Sequence, residues 1–77
     1  MDLKPCSWQQ VVEALRRCGS VSVMDRDDHV AVGKFPHIFT LSKAAPVPTE
    51  IQEKILNKFG ITRVEYLSNL PEPPLLN

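Results

Sequence analysis

From residue 8 the apolar positions recur at helical spacing: Trp8, Val11, Val12, Leu15 and Cys18 form one stripe at i, i+3, i+4, i+7 and i+10. Ser7 and Gln10 stand at capping-box spacing before that stripe, and Gly19 stands where a left-handed cap ends a helix. Arg16 and Arg17 in the last turn complement the helix dipole. From Ser20 the period changes to two. In "SVSVM" Val21 and Val23 share a face, and in "HVAVG" Val30 and Val32 do, with the turn-forming "DRDD" between them. A second connection, "GKFP", leads to "HIFTLS", where His37, Phe39 and Leu41 share one face and Ile38, Thr40 and Ser42 the other. The pattern predicts a helix followed by a three-stranded antiparallel meander.

The two prolines of "KAAPVP" remove backbone donors, so this stretch reads as an extended loop. Thr49 and Gln52 repeat the capping-box spacing, Ile51, Ile55, Leu56 and Phe59 make an apolar face, and Gly60 ends the second helix. Thr62 and Glu65 show the spacing a third time, before Val64, Tyr66, Leu67 and Leu70, which predicts a short third helix. The order α-β-β-β-α(-α) implies an α+β two-layer sandwich, with the helices on one face of the sheet and the other face open. Residues 1–70 read as a single domain of the kind seen in double-stranded-RNA-binding folds. Residues 71–77, "PEPPLLN", read as a proline-rich extended or disordered tail.

Seventy-seven residues suffice for one small core. Nine Lys and Arg balance nine Asp and Glu, which argues against a protein held to nucleic acid by bulk charge, and no DNA contact is predicted. A local basic patch is still permitted. Asp2, Lys4, Glu13, Arg16 and Arg17 interrupt any signal-peptide core, and no apolar run is long enough to span a membrane. Cys6 and Cys18 therefore read as two free thiols in a reducing cytoplasm. The sequence carries no metal-ligand series, no glycine-rich phosphate loop and no serine with a base at recognisable spacing, so neither metal nor cofactor is expected.

The chemistry-bearing candidates are few. His29 opens the second predicted strand beside Asp27 and Asp28, and two readings stand: a proton-transfer residue, or a strand-edge imidazole paired to a neighbouring carboxylate. His37 shares its face with Phe39 and Leu41 and reads as a half-buried structural residue. Lys34, Lys43, Lys54 and Lys58 are candidate phosphate contacts. Lys54 and Lys58 lie four apart on one helix face and Lys43 lies in the loop before it, although a solvated face supported by Glu50 is the simpler account of the helical pair. Trp8 and Tyr66 fall in apolar stripes, which leaves Phe35, in a turn before Pro36, as the aromatic expected to be exposed.

Three stretches together resemble the HicA-like (YcfA-type) toxin family. "WQQVVEALRRCG" is similar to that family's opening helix. "RDDHVAV" stands where the family has a basic residue, a Gly-Ser pair, the catalytic histidine and then a strand. "FTLSKAAPVPTEIQEKILNKFGITRVEYLSNL" is similar to its third strand, loop, second helix and closing Gly-Ile-Ser/Thr-x-x-Glu-aromatic-Leu segment. The resemblance covers residues 7–70. It implies a double-stranded-RNA-binding-like fold and a metal-independent messenger-RNA interferase of a toxin–antitoxin pair. In such a protein His29 would act on the ribose 2'-hydroxyl, and the partners would be RNA and an antitoxin or other protein. Asp27 and Asp28 occupy the places of the Gly-Ser pair. The alternative is a catalytically inactive member of the same fold, serving as a protein-interaction module.

Overall fold

The computed structural model describes residues 3–19 and 21–71; the predicted tail beyond Pro71 lies outside the described residues. The elements are α1 (Trp8–Cys18), β1 (Ser22–Asp25), β2 (His29–Lys34), β3 (His37–Ser42), α2 (Thr49–Phe59) and α3 (Arg63–Asn69). They form the α+β arrangement that the periodicities predict, with one antiparallel sheet in the order β1-β2-β3.

The α1 cap forms as its spacing requires. Ser7 Oγ accepts from the Gln10 N–H at 3.2 Å, and Gln10 Oε1 accepts from the Ser7 N–H at 3.1 Å. Gly19 ends the helix at φ 96° and ψ 155°, a positive-φ conformation with extended ψ instead of the left-handed helical cap expected there. Asp25, which the sequence pattern assigns to the turn, is the last residue of β1 and pairs with Val30.

At α2 the expected capping box is absent. Pro48 is the N-cap and makes no side-chain cap bond, and Thr49 is already the first helical residue. Gln52 lies three, four and seven residues before Ile55, Leu56 and Phe59, so it belongs to the buried stripe and faces the core. There Gln52 Nε2 donates to the Lys4 and Val47 carbonyls at 2.8 and 3.0 Å, and the Tyr66 hydroxyl donates to Gln52 Oε1 at 2.7 Å. Burial pushes the Tyr66 hydroxyl well above the ordinary tyrosine value, which keeps it a donor. The N-terminal segment and the proline-rich loop are tied by an antiparallel bridge between Cys6 and Val47.

Thr62 caps α3 by accepting from the Glu65 N–H at 3.1 Å. Tyr66 of α3 is buried, but Val64, expected in the apolar face, is 76% exposed because it falls on the opposite side of this short helix. One core joins all three helices to the sheet: Val11 and Leu15 of α1, Val30 and Val32 of β2, Leu41 of β3, Ile55 and Phe59 of α2, and Tyr66. Phe39 and Phe59 meet edge to face at 5.7 Å between ring centroids. Strand alternation then leaves the other face of the sheet uncovered by the helices.

Candidate functional site on the open sheet face

The register assigns each side chain to a face. Val30 pairs with Leu41 and Val32 with Phe39, all toward the helices. His29, Ala31 and Gly33 therefore project the other way, opposite Ser42, Thr40 and Ile38 of β3. On the other flank Ser22 and Met24 of β1 stand opposite Gly33 and Ala31. Continuing that register one step past Asp25↔Val30 brings Arg26 opposite His29, and the Arg26 N–H donates to the His29 carbonyl at 2.9 Å. Asp27 and Asp28 make the turn between them.

His29 is half-exposed, and its Nδ1 lies 2.7 Å from Asp28 Oδ1. An ionised carboxylate can only accept, so Nδ1 is the donor of this bond, and Nε2 is the ring nitrogen left to exchange a proton. The hydrogen bond from His29, followed by that from its own backbone amide, holds the Asp28 carboxyl below its ordinary value. The Arg26 guanidinium runs back along the same face to Met24, with Nη2 3.0 Å from Sδ. The open face thus collects one oriented imidazole, one guanidinium and the hydroxyls of Thr40 and Ser42; Ser42 Oγ accepts from the Ala44 N–H at 3.1 Å.

The four candidate lysines do not share this surface. Lys43 follows β3 on the helix side, where its ammonium pairs with Asp25 and stands 4.6 Å from the centroid of the Trp8 ring. Its backbone N–H donates to the Asp28 carbonyl at 3.1 Å, so it borders the histidine turn without joining the open face. Lys34 lies at the far end of β2, and its Nζ donates to the Phe59 carbonyl at 3.0 Å, neutralising the C-terminal end of α2. Lys54 and Lys58 are exposed on α2 in the helical layer and make no ion pair among the described residues. Glu50 does not bridge to Lys54; the acid of α2 that does pair is Glu53, with Arg63 at 2.8 Å. His37 stands opposite Lys34 at that far end, away from His29.

Arg26 is the residue that sequence reasoning passed over as a candidate. Its signal was present, a basic residue three places before His29, but only the hairpin register makes the two neighbours. Phe35 is 98% exposed at the tip of the β2–β3 turn, as its position before Pro36 implies, whereas Tyr66 is core and Trp8 is partly buried under Lys43.

Among the described residues no cluster of His, Cys, Asp and Glu has the makings of a metal site, and no helix is long and apolar enough to cross a membrane. Cys6 and Cys18 are free thiols. No family model, curated protein or solved structure matches the chain.

Proposed function

We propose that this chain is a HicA-like RNA-cleaving domain in which His29 is the general base. The observation that carries the reading is the Asp28–His29 pair at the edge of the open sheet face, which engages Nδ1 and leaves Nε2 of a half-exposed ring for proton transfer, with Arg26 opposite His29 across the hairpin. In the proposed reaction Nε2 accepts the proton of a ribose 2'-hydroxyl, and the 2'-oxygen attacks the adjacent phosphorus. The bond from phosphorus to the 5'-oxygen breaks. The products are a 2',3'-cyclic phosphate and a 5'-hydroxyl, whose proton comes from solvent. Arg26 offsets negative charge on the non-bridging oxygens. No step calls on a metal or cofactor. The free thiols are in keeping with a reducing, cytoplasmic setting, and an antitoxin or other protein is the partner this reading implies.

A second reading has its own support. Ile38 is 73% and Met24 53% exposed on the open face, and such apolar surface suits a catalytically inactive protein-interaction module.

The deciding experiment incubates labelled RNA with the purified chain and its His29→Ala variant in the presence of a chelator. Cleavage by the wild type, its loss in the variant, and its loss when the 2'-hydroxyl at the cut is replaced by hydrogen are expected. Intact RNA with the wild type, or equal cleavage by both proteins, rules out the catalytic reading.

A further inference from the structure

Next to His29 the open face is hollow. Ala31 and Gly33, the two positions that follow His29 on that face of β2, carry almost no side chain, while Met24 and Ser22 rise on one flank and Ile38 on the other. They enclose a shallow cavity of about 90 Å³ with mostly apolar walls. A Cβ built on Gly33 would come within 3.4 Å of Ile38 Cγ1, so even the smallest side chain there would occupy the floor. Thr40, opposite Ala31, brings a hydroxyl to the end of the trough nearer His29.

We propose that this trough is the subsite for one unpaired nucleobase of a single-stranded RNA, an assignment that rests on the catalytic reading of His29. Three features of the face match such a ligand. The trough is apolar and walled by unbranched and branched aliphatic side chains, which suits the flat face of a base held between them. Its polar end carries Arg26 and His29, and the Arg26 guanidinium, lying against Met24, the wall of the trough itself, is the donor that can meet a phosphate there beside the exposed carboxylates of Asp27 and Asp28. The spacing also fits. Ala31 is two residues from His29, roughly 6.7 Å along the strand, so a base over Ala31 and Gly33 leaves its own ribose within reach of Nε2. A base paired in an A-form duplex cannot enter, because its faces are stacked and its edges are turned to the partner strand. The substrate of this site is therefore a single-stranded loop or end, with Thr40 available to hydrogen-bond a base edge.

The test uses His29→Ala protein, in which bound RNA stays intact, and fluorescence anisotropy with a short labelled RNA. Three ligands are compared: the single strand, the same strand with its bases removed, and a duplex of the same length. Ala31→Leu fills the floor, and Ile38→Ser removes an exposed wall without touching the core; circular dichroism verifies that both fold. Stacking of one base corresponds to about tenfold in affinity, so each variant and the base-free strand are expected to bind about tenfold more weakly, with the duplex weaker still. Equal affinity across variants and ligands overturns the subsite, as does trough-dependent self-association in sedimentation without RNA binding. Wild-type cleavage that is indifferent to Ala31→Leu and Ile38→Ser removes the subsite and leaves the catalytic reading standing. Base-dependent binding without cleavage does the reverse.

Discussion

The Gln52–Tyr66 hydrogen bond offers the sharpest check on how this small core is held together. Gln52 is 1% exposed and makes three hydrogen bonds at once, two as donor and one as acceptor. Gln52→Leu keeps the side-chain bulk and removes all three. Two of the losses are mild: the Val47 carbonyl retains the Cys6 N–H at 3.2 Å, and the Lys4 carbonyl belongs to an exposed residue that water can reach. The Tyr66 hydroxyl has no such recourse, and an orphaned buried donor costs about 1–3 kcal/mol. The variant should thus lose about 2–3 kcal/mol, against a total of roughly 4–12 kcal/mol for a chain of this length. Thermal unfolding should fall by about 10–20 °C. Tyr66→Phe orphans Gln52 Oε1 instead and should cost about 1–2 kcal/mol. In the double variant neither orphan exists, so its loss should be smaller than the sum of the single losses by at least about 1 kcal/mol. Urea denaturation followed by far-ultraviolet circular dichroism measures all four proteins. Additivity within about 0.5 kcal/mol would show that the two side chains do not depend on each other, and the account of this core would be wrong.

Other perturbations test separate parts of the structure. Gly19 and Gly60 both have open space where a Cβ would stand, so their alanine variants differ only in backbone strain. Gly60 at φ 71° and ψ 30° is left-handed helical and should cost about 1 kcal/mol on mutation to Ala; Gly19→Ala, in a region nearly restricted to glycine, should cost about 2 kcal/mol or more, and equal losses in urea titrations would contradict this. Lys34→Met removes the donor to the Phe59 carbonyl and should lower stability by about 0.5–1 kcal/mol, with a smaller loss in high salt; a gain in melting temperature would refute the capping role. The Asp28 carboxyl is held below its ordinary value of 3.8, so its contribution is complete above that pH and fades as pH falls below it through the depressed value. Asp28→Asn should flatten the acid limb of the stability profile, and a limb of unchanged shape would deny the pairing with His29.

Much of this architecture can be read from spacing. Period 3.6 before Gly19 and period two in β2 reflect which positions are hidden from water, whereas β1 is exposed along its whole length and is held by its pairing with β2. The same alternation puts Val30 and Val32 on one face, and so His29 on the other. Ser7 and Thr62 cap their helices as read, because capping is a contact between residues three apart in the chain. Where local rules competed with packing, packing won. Thr49 and Gln52 have the spacing of a capping box, yet a glutamine three, four and seven places before Ile55, Leu56 and Phe59 is drawn into the core once Tyr66 and two carbonyls are there to satisfy it.

The site divides along the same line. His29 and its bond to Asp28 depend on adjacent residues and a strand start, both local properties of "DRDDHVAV". The company His29 keeps is not local. Arg26 becomes its neighbour only through the β1–β2 register, Thr40 and Ser42 join through β2–β3, and Lys34, Lys43, Lys54 and Lys58 are dispersed to the far strand end, the helix side and the helical layer. A charged side chain shows nothing in its own sequence neighbourhood of the carboxylate, carbonyl or ring it will meet. Which face is left open, and what stands together on it, is decided when the chain closes on its core and each long side chain settles on the nearest partner that closure supplies.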